Sequence, residues 1–178
     1  MNKKLKKNGI LFWITGLSGS GKTSIANEIL PIIKKRYGPT VHLDGDTLRN
    51  ILNLNGYSLE ERLSNSAIYT KIAKHLTNQG INVVFSLVCL MNKPRVWNRK
   101  NIKKYIEIYI KSDLKKITIK NVKNIYKKNK DVVGLSIKPE FPKSPDITIV
   151  NEFDNSIGYL KLELLKKISI IINKRKYK

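Results

Sequence analysis

The chain has 178 residues, a length that fits one domain able to bury its own hydrophobic core. With 41% hydrophobic and 27% charged residues its composition excludes a disordered or fibrous protein, and its one cysteine, Cys89, excludes an internal disulfide and predicts a reducing, cytoplasmic setting. The formal net charge of +22, from 35 Lys+Arg against 13 Asp+Glu, is spread along the chain. That pattern predicts a basic surface that attracts polyanionic ligands such as nucleotides, with nucleic acid not the expected partner.

In chain order, residues 10–14 form an unbroken apolar run, Ile-Leu-Phe-Trp-Ile, ending near glycine. This suits a strand buried on both faces of a parallel sheet. A glycine-rich loop follows, then helical spacing with Ile25, Ile29, Ile32 and Ile33 on one side. Residues 40–43 read as a second strand ending at Asp44-Gly45-Asp46, where the two aspartates could share one face of a strand-like segment. Ser58 to Asn78 has helical spacing stopped by Gly80. Residues 81–88 are β-branched and apolar, a central strand, and residues 105–110 are another. Residues 121–143 are Lys-rich and irregular, with Pro139 and Pro142, and are read as a mobile lid. Residues 146–150 give a fifth strand, and residues 156–173 a closing helix. Strands alternate with helices throughout. The prediction is one α/β domain over residues 1–178, a doubly wound parallel sheet of the P-loop nucleotide-kinase kind with a short lid. No leader is expected, because the short apolar stretch runs straight into the glycine loop, and no run reaches the length of a membrane span.

The loop Gly16-Leu17-Ser18-Gly19-Ser20-Gly21-Lys22-Thr23 is a complete phosphate-binding motif between a predicted strand and a predicted helix. Small residues let successive N–H groups wrap phosphate oxygens at a helix N-terminus. The expected ATP contacts are Gly16, Ser18, Gly19, Ser20, Gly21, Lys22, Thr23 and Ser24. Lys22 should reach the β- and γ-phosphates, and the Thr23 hydroxyl should ligate Mg²⁺. A small kinase also needs carboxylates near the acceptor hydroxyl, and Asp44 and Asp46 stand at the carboxyl end of a strand, where ligands gather in such sheets. The expected catalytic residues are therefore Lys22, Asp44 and Asp46. One aspartate orients or deprotonates the acceptor and the other joins Thr23 at Mg²⁺, with Asp44 the metal candidate. Asp-Gly-Asp also suits a turn with a helix N-cap. His42 and His75 have no carboxylate or cysteine at metal-ligand spacing and are read as structural.

With the P-loop, the stretch Leu43-Asp44-Gly45-Asp46-Thr47-Leu48-Arg49, then Gly56-Tyr57-Ser58, Glu61-Arg62 and Asn65, resembles the adenylylsulfate kinases. A weaker echo lies in residues 123–128 and in Glu140-Phe141-Pro142, so the resemblance spans about residues 9–150. These P-loop enzymes phosphorylate the 3′-hydroxyl of adenosine 5′-phosphosulfate. The resemblance implies ATP with Mg²⁺, a small nucleotide acceptor and a homodimer. It also implies that Arg49, Arg62 and Asn65 contact the acceptor's phosphate and sugar, beside Asp46, and that Tyr57 packs on its base. Where the family has Phe-Ile-Ser-Pro, this chain has Leu87-Val88-Cys89-Leu90. The resemblance assigns that serine a phosphorylated intermediate, a role Cys89 does not inherit, so direct in-line transfer is expected. A family arginine is replaced by Ala67, a lid glycine by Asn124, and the phenylalanine that stacks on adenine by Val132. Val88, Cys89 and Val132 are thus placed at the acceptor.

These departures gather at the acceptor base, and losing an aromatic face weakens the case for a purine. The reading is an ATP-dependent kinase acting on the 3′-hydroxyl of a 5′-modified ribonucleotide. The best candidate is cytidine 5′-diphosphoramidate, the acceptor of the family's capsule-associated branch. An adenylylsulfate kinase of sulfate assimilation is the alternative. A non-catalytic nucleotide- or RNA-binding protein on a kinase scaffold is the alternative of another class.

Overall fold

The computed structural model describes residues 8–120 and 132–177. Five parallel strands form one sheet: β1 (Leu11–Thr15), β2 (Thr40–Asp44), β3 (Asn82–Leu87), β4 (Tyr105–Lys111) and β5 (Ile147–Val150). Their spatial order is β2-β3-β1-β4-β5. The helices are α1 (Lys22–Tyr37), α2 (Gly45–Ile51), α3 (Leu59–Asn78), α4 (Asn92–Asn101), α5 (Leu114–Ile119) and α6 (Ile157–Lys174). The chain runs from β1 outward to β2, returns through β3, then crosses to β4 and β5. The switch in direction falls at the carboxyl end of β1, where a crevice opens in sheets of this kind.

The strand pleat sorts the apolar residues into two layers. Phe12 and Ile14 of β1 face α1 and α6, meeting Ile25, Ile29, Leu164 and Ile168. Leu11 and Trp13 face the other way, with Phe85, Tyr69 and Ala73. Trp13 and Phe85 meet edge to face at 5.1 Å. Burying each large apolar side chain stabilises the fold by about 1.5–3 kcal/mol, so both faces of the central strands are mainly apolar.

Helix ends follow local chemistry. Ser58 caps α3 through the Glu61 amide, and the Glu61 carboxylate answers on the Ser58 amide at 3.0 Å, a reciprocal capping box. Gly80 just past α3 has φ 86°, a conformation open to glycine, as its position after the helix predicted. The α4 helix ends in basic residues and its first amide, on Asn92, donates to the Glu140 carboxylate at 2.5 Å.

The charge in the middle of β4 also finds partners. Glu107 is buried and pairs with Arg95 at 3.1 Å and Arg99 at 2.7 Å. Arg99 reaches Asp146 at 3.3 Å, and Arg175 of the C-terminal segment pairs with the same carboxylate.

Residues 121–131 of the predicted lid, with Asn124, lie outside the described residues. Residues 132–140 differ from a free flap. Val132 and Val133 are buried, and Glu140 donates its amide to the Leu90 carbonyl at 2.8 Å. Their apolar side chains have a pocket wall to fill, so this end of the segment is packed. Among the described residues no helix is long and apolar enough to cross a membrane.

Candidate functional site

The loop after β1 turns on glycine. A Cβ at Gly16 would lie 2.5 Å from the Ile110 carbonyl oxygen, and Gly21 combines φ 89° with an Asn151 side-chain nitrogen 2.9 Å from where its Cβ would be. Asn151, at the end of β5, donates to the Ser20 carbonyl at 3.1 Å and accepts the Phe153 amide at 3.0 Å. The last strand therefore fastens the loop of the first. Lys22 opens α1, is buried, and donates its ammonium to the Leu17 carbonyl at 2.6 Å. A cation and the first amides of a helix thus face one concavity, the arrangement that binds oligophosphate.

Asp44 ends β2 and caps α2. Its Oδ1 accepts the amides of Asp46 at 3.0 Å and Thr47 at 3.2 Å. Its Oδ2 accepts the hydroxyls of Thr23 and Ser86, each at 2.9 Å. Burial pushes this carboxyl up, but the hydrogen bonds from Ser86, Thr23, Thr47 and Asp46 outweigh it and hold the group below its ordinary range. The Ser86 proton goes to Asp44, so His42 Nε2, 2.9 Å from Ser86 Oγ, is the donor in that contact. Burial lowers the His42 pKa, and the charge of Asp44 offsets only part of that. The two aspartates differ from the strand-like pair read in the sequence. The strand stops at Asp44, Asp46 lies in the first turn of α2, and the N-cap role and a place in the site coincide at Asp44.

Two cavities meet here. The larger, about 870 Å³, is lined by Ser18, Gly19, Gly21, Lys22, Thr23, Ser24 and Asp44, and extends to Asn151 and Phe153. The smaller, about 310 Å³, is lined by Asp46, Arg49, Tyr57, Arg62, Asn65, Val88, Cys89 and Val132. Every residue expected at the acceptor thus falls on one cavity. Of those expected at ATP, Gly16 and Ser20 do not line the cavity. Ser18, Asp46, Leu87 and Val88 line both spaces.

Several side chains behave differently from their simplest reading. Arg49 donates Nη1 to the carbonyls of Leu54 at 2.9 Å and Gly56 at 2.5 Å, so part of its guanidinium holds the α2–α3 loop. Arg62 donates to the Tyr57 carbonyl at 2.7 Å. Both guanidiniums lie over the Tyr57 ring, at 4.3 and 5.3 Å from its centre. Cys89 is buried, and burial pushes its thiol up to about 12. Its carbonyl accepts from Thr15 at 3.0 Å and Arg95 at 3.3 Å.

Ser66 and Tyr69 also line the smaller cavity and were missed. The signal was available. Arg62, Asn65, Ser66 and Tyr69 are spaced i, i+3, i+4, i+7 and so lie on one face of α3. Ser86 and His42 carried no such signal, because only the pairing of β2 with β3, which sets Asp44 opposite Ser86, brings them in; Asn151 follows β5 and is brought in by the pairing of β5 with β4.

Comparison with known proteins accords with this geometry. The model of the adenylylsulphate kinase family matches residues 8–150. Cytidine diphosphoramidate kinase of Campylobacter jejuni is 35% identical over 171 residues, covering 93% of this chain and 100% of that one. Adenylyl-sulfate kinase of Clostridium kluyveri is 34% identical over 159 residues, 85% and 80% of the two chains. The structure of the Mycobacterium tuberculosis APS kinase, in complex with AMPPNP and APS, superposes with TM-score 0.80 at 26% identity, covering 91% of this chain and 98% of that one.

Proposed function

The chain belongs to the adenylylsulphate kinase family and is a nucleotide kinase, and from that premise we propose that it transfers the γ-phosphate of ATP to the 3′-hydroxyl of cytidine 5′-diphosphoramidate. The observation that carries this reading is the junction of the two cavities. A donor space built on a phosphate loop opens at Asp46 onto an acceptor space with two arginines, two tyrosines and aliphatic walls at Leu87, Val88 and Val132.

In this reading Lys22 exchanges its bond to the Leu17 carbonyl for oxygens of the β- and γ-phosphates and neutralises charge as it develops. The Thr23 hydroxyl and Asp44 carboxylate are hard oxygen donors 2.9 Å apart, and they fit Mg²⁺, which takes one or two protein oxygens with phosphates and water. Bound there, Mg²⁺ would neutralise negative charge on the transferring phosphoryl group. Asp44 accepts four hydrogen bonds that lower its basicity, whereas Asp46 borders both cavities. Asp46 is therefore the group that accepts the acceptor's 3′-hydroxyl proton. The sugar oxygen then bonds to the γ-phosphorus as the bond to the β-bridging oxygen breaks, and ADP leaves. Arg62 meets the acceptor's 5′-oxyanions, and Arg49 supports the Tyr57 wall.

Kinetics with ATP and Mg²⁺ test the acceptor. The expected result is a kcat/KM at least about tenfold higher for cytidine 5′-diphosphoramidate than for adenosine 5′-phosphosulfate. The reverse order would leave adenylylsulfate phosphorylation, a reading favoured by the 34% identity to the Clostridium enzyme.

A further inference from the structure

We propose that the Tyr69 hydroxyl is a specificity-determining group that hydrogen-bonds the polar edge of the acceptor's base at the inner wall of the smaller cavity. This inference rests on the kinase reading above for the identity of the cavity's ligand.

Tyr69 lines that cavity, yet the residue is only 5% exposed and its hydroxyl has no hydrogen-bond partner among the described residues. A buried hydroxyl left unpaired is costly, and proteins retain such a group where a ligand completes it. Its ring is fixed from behind, tilted against Phe85 with centres 5.7 Å apart. Burial raises the Tyr69 pKa, so the hydroxyl keeps its proton and offers both a donor and an acceptor at neutral pH.

The order of side chains along α3 says which part of the ligand it meets. Arg62 carries charge at one end of the cavity-facing row and Tyr69 a neutral hydroxyl at the other, two turns on. A nucleotide has the same polarity, from charged 5′-substituent to neutral base. The walls beside Tyr69 belong to Cys89, Met91 and Leu87, which offer shape and no aromatic stacking face. Beside Cys89, whose thiol stays protonated, base discrimination falls to groups with strong directional hydrogen bonds. Ser66 does not compete for that role, since its hydroxyl is engaged by the Leu63 carbonyl at 2.8 Å.

The test is Tyr69→Phe in the full chain, assayed with ATP, Mg²⁺ and matched acceptors that differ only in base: cytosine, uracil and adenine. The variant should raise KM for the preferred base roughly three- to tenfold with kcat nearly unchanged, and should narrow the preference between cytosine and uracil by a similar factor. The ring remains, so the unliganded variant should melt no lower than the parent, while the rise in Tm given by the acceptor shrinks. An equal loss for all three bases would mean that the hydroxyl reads sugar or phosphate, and overturns the proposal. So would no change in any KM, or a lower Tm without ligand, which would assign the hydroxyl a structural partner. If the parent enzyme instead prefers adenine, the cytidine assignment fails. The Tyr69 question is then read from whether the variant narrows that adenine preference.

Discussion

Asp44 accepts four hydrogen bonds and Asp46 borders two cavities, and the division of labour proposed for them rests on that difference. Asp46→Asn should lower kcat by about 100-fold or more while a nucleotide-binding titration finds ATP affinity largely kept. Near-normal turnover would remove Asp46 from the chemistry. Cys89 sits where the family resemblance places a phosphorylated serine, but a thiol raised to about 12 is neither a thiolate nor accessible. Cys89→Ala should keep kcat within about threefold, and mass spectrometry of the parent after turnover should find no phosphoryl group on Cys89. His42 gives a pH prediction. Its folded pKa is depressed, so the unfolded chain takes up a proton that the folded one resists, and stability falls as pH drops below about 6.5. His42→Gln keeps a donor toward Ser86 and should flatten that slope in melting curves taken between pH 7.5 and about 5.

At the scale of elements, the strands announced themselves and three helices did not. Residues 10–14 are apolar throughout, and residues 81–88 and 105–110 are mostly so, interrupted by Asn82, Ser86 and Glu107, because both faces of the sheet are covered; β1, β3 and β4 lie within a residue or so of those bounds. The 16-residue α1, 20-residue α3 and 18-residue α6 were equally visible, since length lets the 3.6-residue period repeat. The short α2 and α5 show only a turn or two of it, and α4 carries Pro94 in its first turn and a mostly polar sequence. Its stability comes from partners distant in sequence, Glu140 on its first amide and on Arg95, and Glu107 on Arg95. The site followed the same division. Loop, aspartates and arginines were legible as motifs, whereas Ser86 and Asn151 needed strand pairing. The start of α3 can be tested by itself. Ser58→Ala removes half of the capping box and should cost about 1 kcal/mol, lowering Tm by roughly 2–4 °C. Because the Ser58 loop carries Tyr57, the acceptor KM should rise in that variant while the ATP KM stays put.

For the whole molecule, the paired charges around Glu107 tie β4 to α4, to Asp146 at the head of β5 and to the C-terminal segment. Removing one partner leaves Arg95 buried and uncompensated. Glu107→Ala should therefore destabilise the fold by about 3 kcal/mol or more, measured by urea unfolding. The effect should reach the acceptor cavity too, because Arg95 also donates to the Cys89 carbonyl in its wall.

The wall common to both cavities, Ser18, Asp46, Leu87 and Val88, is a passage as well as a partition. One molecule could thread it. Two nucleosides joined 3′ to 5′ through a short polyphosphate would seat each half in its own space, the second half binding at an effective concentration in the millimolar range. Such a compound would owe its grip to the spacing of the two rooms, and the phosphate count that binds tightest would serve as a ruler for that spacing.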